Sequence, residues 1–191
     1  GGTVEILLVS SAEKSRDAVL QMLRVASYTT VTVASSGSEA RRMFAQKDFE
    51  LVLIVAPLSD EFGQDLAFFV TQTTMAGVIL MVKADIADSV SYKMEGYGVA
   101  VLPKPVGKMI FFQTLRLVSA TSHRMAGLRN ENLKLQQKIT EIRLVDRAKC
   151  ALIQYLNMTE QQAHRYIEKQ AMDLRCTRAQ VAESILTTYE I

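Results

Sequence analysis

The stretch LVLIVA, residues 51–56, is an unbroken run of six apolar side chains. A strand with one wet face alternates apolar and polar residues. A continuous β-branched and aliphatic run instead marks a strand covered on both faces, as in a parallel sheet flanked by helices. Four more short runs lie around it: EILLVSS at 5–11, TVTVA at 30–34, VILMV at 78–82 and Val99 to Leu102. The segments between them carry helical spacing, with Val19, Leu20, Met22 and Leu23 in 13–26 and a Ser36-Gly37-Ser38 start before the helix ending at Phe44. Helices are also predicted over 63–73 and 86–95. Strands alternating with helices predict an α/β doubly wound, five-stranded parallel sheet, with its functional crevice outside the strand carboxyl ends.

After Lys104-Pro105, the chain from Val106 to Leu156 contains no proline and reads as one long helix. Met125, Asn132 and Ile139 fall seven apart, and Leu128, Leu135 and Ile142 repeat three residues later, giving an a/d seam. One thin apolar stripe on a polar helix needs a partner, and Asn132 at an a position favours a parallel pair of identical chains, a coiled-coil homodimer. In that pairing the flanking contacts would be Arg124 with Arg129, Glu131 with Gln136 and Lys138 with Arg143, which are not complementary. The same stripe also fits a helix packed on its own domain. The organisation expected is a sheet domain over 1–108, its last helix continuing to about 122, a coiled-coil helix over 109–142 and a three-helix domain over 143–191.

Composition narrows the function. With 49% hydrophobic and 22% charged residues among 191, the chain belongs with folded globular proteins. No apolar run reaches membrane-spanning length, and the N-terminus lacks a basic-then-apolar secretory pattern. Gly1-Gly2, with no methionine before them, read as a cloning remnant and stay outside the fold reading. Cys150, Cys176, His123 and His164 show no metal-ligand spacing, so no metal, no cofactor and a reduced, cytoplasmic setting are expected. No nucleophile–base pair stands out, so an enzyme is not expected. Residues 1–122 hold 11 Lys/Arg against 12 Asp/Glu, and residues 123–191 hold 11 against 8. That tail bias suits nucleic acid and a solvated surface equally.

The strand–helix pattern of residues 3–122 resembles the receiver domain of bacterial response regulators, a flavodoxin-like fold. The resemblance places that family's acidic pair on Ser10 and Ser11, its phosphoacceptor on Val55 with the downstream glycine at Gly63, its hydroxyl on Val82 and its lysine on Lys104, followed by Pro105. A valine offers no nucleophilic oxygen, and two serines are poor ligands for a hard divalent cation. The resemblance is therefore to a pseudo-receiver, in which Val55 and Val82 make the pocket apolar and no aspartyl phosphate forms. Asp60 and Glu61, just past the third strand, read as solvated turn acids rather than substitutes. Lys104 reads as a solvated or locally paired lysine beside a cis-prolyl turn.

Beyond Leu156, Thr159-Glu-Gln-Gln162 and Thr177-Arg-Ala-Gln180 are capping boxes that start two further helices. The stripes Leu144, Ala148, Ala151, Leu152, Tyr155, then Ala163, Ile167, Ala171, Leu174, then Val181, Ile185, Leu186 supply a small shared core. Arg147-Ala148-Lys149 with Ala151-Leu152, then Thr159 and Ala163, Ala171-Met172 and Val181-Ala182-Glu183 resemble the ANTAR domain over about residues 143–187, with Cys150 where that family has glycine. The resemblance implies an RNA-binding transcription antiterminator acting on stem-loops of a nascent transcript. It also implies, as in amidase-type members, a sensor protein that sequesters it. Arg143, Arg147, Lys149, Arg165, Lys169, Arg175 and Arg178 are the cations available for RNA phosphates, and the helix start at Thr177 adds backbone donors. A DNA-binding response-regulator-like factor and a protein adaptor that touches no nucleic acid are the alternatives.

Overall fold

A computed structural model describes residues 3–189. Five parallel strands, β1 (Ile6–Ser10), β2 (Val31–Ala34), β3 (Leu51–Val55), β4 (Gly77–Lys83) and β5 (Ala100–Lys104), pair in the order β2-β1-β3-β4-β5. This is the flavodoxin-like doubly wound order. Helices α1 (Glu13–Val25), α2 (Gly37–Phe44), α3 (Gln64–Thr73) and α4 (Ala87–Met94) fill the crossovers. Every residue of β1 and β3 is buried, as their unbroken apolar runs require.

The two faces of the sheet carry separate cores. One packs Val52, Ile54, Leu80 and Val82 against α2, α3 and α4. The other packs Leu53, Val55, Ile79 and Met81 against Val19 and Leu23 of α1 and against Phe111 and Leu115. The last two lie on α5, which runs Lys108–Leu156. Val82 is the point where the sequence expectation fails. Its side chain is fully buried on the face opposite Val55, because successive side chains of a strand alternate. On β4, Ile79, Met81 and Lys83 share the face of Val55, with Met81 directly opposite it and Lys83 directly opposite Lys104.

Local chemistry fixes the connections. Ser36 accepts from the Glu39 amide to start α2. Gly63 precedes α3 at φ +129, a conformation L side chains rarely adopt, and a Cβ there would also press on Ile54. The Lys104–Pro105 and Ala56–Pro57 bonds are cis.

The chain divides into two compact units between Gly127 and Leu128. In the second unit, Ala148, Ala151 and Leu152 of α5 pack with Ala163 and Ile167 of α6 (Glu160–Leu174) and with Val181, Ala182, Ile185 and Leu186 of α7 (Arg178–Tyr189). Both expected capping boxes form, Thr159 with Gln162 and Thr177 with Gln180. Two residues expected in this core lie outside it. Leu174 is 65% exposed in the last turn of α6, and Tyr155, 53% exposed, stacks on Tyr189 with ring centres 5.6 Å apart.

Candidate functional site

The carboxyl ends of β1, β3, β4 and β5 form the first candidate. Ser10 lies opposite Val55 in the sheet register and is buried, its hydroxyl donating to the Ala12 carbonyl at 3.1 Å. Ser11 reaches across the loops: its hydroxyl accepts from the Ser59 amide at 2.8 Å and donates to the Ser35 carbonyl. Both hydroxyls are engaged with backbone, and neither residue offers a carboxylate to hold a divalent cation, so this donor set does not fit the magnesium that a receiver fold implies. Among the described residues no group of three or more His, Cys, Asp or Glu side chains is placed to hold a metal ion.

Asp60 and Glu61 are committed elsewhere. Asp60 accepts from the Gly37 and Ser38 amides, each at 2.9 Å, and so caps α2. Those amides hold its carboxyl at about 2, below the ordinary 3.8. Glu61 forms a two-pronged ion pair with Arg41, which raises the guanidinium pKa further. The sequence shows two loop acids but not these partners, since Gly37 is 23 residues from Asp60.

Lys104 donates to the Ala56 carbonyl at 2.6 Å, so it is locally paired. Burial, with the neighbouring Lys83 charge second, pushes its ammonium below the usual lysine range. Beside it a cleft of about 430 Å³ opens between α1 and the start of α5, with Val55 and Met81 among its lining residues.

The second candidate is the helical unit. Arg143, Arg147, Arg165, Lys169, Arg175 and Arg178 are exposed and Lys149 is half-buried. The structure divides them. Arg165 and Lys169 flank Tyr166 on α6. Lys149 and Arg178 line a groove with Lys138 and His164 and with the acids Glu141 and Asp146, and Glu168 lies 3.1 Å from His164 and 3.8 Å from Arg178. Arg147 lies in a third patch with Gln154 and Tyr155, because Lys149 is two residues on and turns to nearly the opposite side of the helix. Arg175 caps α6 in the left-handed region at φ 51. Lys138, His164 and Tyr166 are not among the RNA-binding residues expected from sequence, although the i, i+1, i+4 spacing of Arg165, Tyr166 and Lys169 puts an aromatic ring between two cations on one surface.

On α5, Met125, Leu128, Leu135, Ile139 and Ile142 are 48–60% exposed, and Asn132 is exposed with them. Each of these apolar side chains keeps about half or more of its surface open within the single chain. No described helix is long and apolar enough to cross a membrane.

Comparison with known proteins agrees with both halves. Residues 133–186 match the ANTAR domain. The transcriptional regulatory protein PdtaR of Mycobacterium tuberculosis is 26% identical over 183 residues, covering 96% of this chain and 89% of that protein. The nitrate regulatory protein of Klebsiella oxytoca is 28% identical over 142 residues, 69% of this chain and 36% of its own length. Among solved structures, the signal receiver domain of an HD domain-containing protein from Pseudomonas fluorescens Pf-5 superposes with a TM-score of 0.59 at 24% identity, covering 65% of this chain and 93% of that one. The chemotaxis response regulator CheY4 of Vibrio cholerae gives 0.54 at 17% identity, covering 61% and 99%. Taken with the β2-β1-β3-β4-β5 sheet, these matches show an ANTAR domain over residues 133–186 following an N-terminal domain of receiver fold.

Proposed function

We propose that this protein is a transcription antitermination regulator whose helical unit binds stem-loops of a nascent RNA and whose receiver-fold domain works without phosphorylation. The observation that carries the reading is the ANTAR match over residues 133–186, lying on a helical cluster with exposed Arg165, Tyr166 and Lys169 side by side. Proteins that read single-stranded RNA loops combine cations for phosphates with planar side chains for splayed bases. Tyr166 between Arg165 and Lys169 supplies both. The remaining cations, Lys149 with Arg178, Arg143 with Arg147, and Arg175, serve phosphates further along the backbone.

The reading extends to assembly and control. The exposed stripe from Met125 to Ile142 pairs with a second copy of the chain, and Asn132 sets the register. Two ANTAR units on one dimer then engage two linked hairpins with a gain in effective concentration. Val55 has no oxygen to receive a phosphoryl group, so control comes from a partner, a sensor protein that sequesters the regulator.

The direct test measures affinity for a hairpin RNA and for duplex DNA at matched salt. The hairpin is expected to bind tighter, and the Arg165→Ala/Lys169→Ala double variant is expected to weaken it about tenfold or more. Equal affinity for the two nucleic acids would overturn the RNA reading.

A further inference from the structure

The cleft beside Lys104 has exchanged one chemistry for another. Its apolar wall is formed by Val55 and Met81 from the sheet, Met22 and Val25 from α1 and Phe112 from α5. Val55 and Met81 are 3% and 2% exposed, whereas Val25 at the other end is 66% exposed, so the cleft runs from a dry floor to an open mouth. Its volume of about 430 Å³ falls within the range of small-molecule sites, roughly 300–1,000 Å³.

The charges around it have one sign. Lys104 and Lys108 line the cleft and no carboxylate does. Lys83 stands directly opposite Lys104 in the sheet register. Lys104 spends one N–H on the Ala56 carbonyl and keeps two, and Lys108 has no ion pair among the described residues. A partly buried ammonium facing another cation, with no anion beside it, is a poor arrangement unless an anion arrives from outside. Inorganic phosphate alone does not match the site, because Val55 and Met81 offer its oxygens nothing to bond. A neutral apolar molecule leaves the lysines unanswered.

We propose that this cleft binds a small amphiphilic organic anion, a medium-chain or aryl carboxylic acid. Its apolar body lies on Met81, Val55, Met22 and Phe112, and its carboxylate pairs with Lys104 and Lys108. The occupant bridges α1 and the first turns of α5, neither of which supplies the full wall alone. The proposal concerns binding only and does not depend on the RNA reading of the helical unit.

Octanoate, 1-octanol and inorganic phosphate serve as probes of the full chain. Binding is followed by calorimetry and by NMR of 13C-methyl-labelled methionines. Octanoate is expected to bind about tenfold or more tightly than 1-octanol, as one charge-assisted pair allows, and to shift the Met22 and Met81 methyl signals. Phosphate is expected to shift neither. Lys108→Glu, an exposed position where folding is not at stake, is expected to abolish the preference for octanoate while leaving octanol binding in place. Lys104→Met is expected to act in the same direction. Equal affinity for octanoate and octanol overturns the proposal. So does phosphate binding as tightly as octanoate, or a methyl response centred on Met125 or Met172 instead.

Discussion

The Lys104 ammonium holds the Ala56 carbonyl across 2.6 Å, joining the end of β5 to the residue that follows β3. A lysine that would grip a phosphoryl oxygen in a working receiver here grips its own backbone. Replacing it with methionine keeps the stem and removes the bond. Lys104→Met is expected to lower stability by about 1 kcal/mol, read as a shift in the urea midpoint with unchanged slope. A variant as stable as the parent would show that the bond contributes nothing net.

Asp60 provides a pH signature. Its carboxyl titrates at about 2 in the folded chain against an ordinary 3.8, because the Gly37 and Ser38 amides prefer the charged form. The folded value is the lower one, so this stabilisation is fully present above 3.8 and is lost as pH falls toward 2. Asp60→Asn should therefore be less stable than the parent near neutrality, and the gap should narrow as the pH drops between those two values. Melting curves of the pair across that range provide the check. A gap that stays constant would mean that the charge on Asp60 does not matter.

Val55 decides the phosphorylation question. With acetyl phosphate and magnesium, the intact mass of the parent is expected to stay unchanged. Val55→Asp is expected to stay unchanged too, since Ser10 and Ser11 provide no carboxylates to bring the cation. A phosphoryl mass gain on the parent would contradict the silent-crevice reading.

The stripe on α5 predicts the oligomeric state. Leu128→Glu/Leu135→Glu places charge at two positions already 52% and 53% exposed in the single chain, so the fold should survive. Analytical ultracentrifugation is expected to show the parent as a dimer and the variant as a monomer, with antitermination lost alongside. A monomeric variant that still drives read-through would separate dimerisation from function.

Much of the fold could be read from the sequence because its strands are buried on both faces. LVLIVA and its neighbours announce themselves without alternation, and strand ends moved by only one or two residues. β5, for instance, ends at Lys104 rather than Leu102. Val82 differs from its expected place for a physical reason: the resemblance puts it in the pocket, whereas the two-residue period of a strand sends Met81 and Lys83 to the crevice side. The partners of Asp60 and Glu61 could not be read at all, because Gly37 and Arg41 lie 20 or more residues away and meet them only after the sheet forms. On the helical unit, the list of cations was legible but not their grouping. Arg147 and Lys149 are neighbours in sequence and line different patches on the surface.

Ser11 has a consequence of its own. One hydroxyl fastens the loop after β3 to the loop after β2, through Ser59 and Ser35. A clasp made from the chain itself re-forms without recruiting an ion, so it has no dependence on the concentration of one. Neither a chelator nor added magnesium should move the melting temperature.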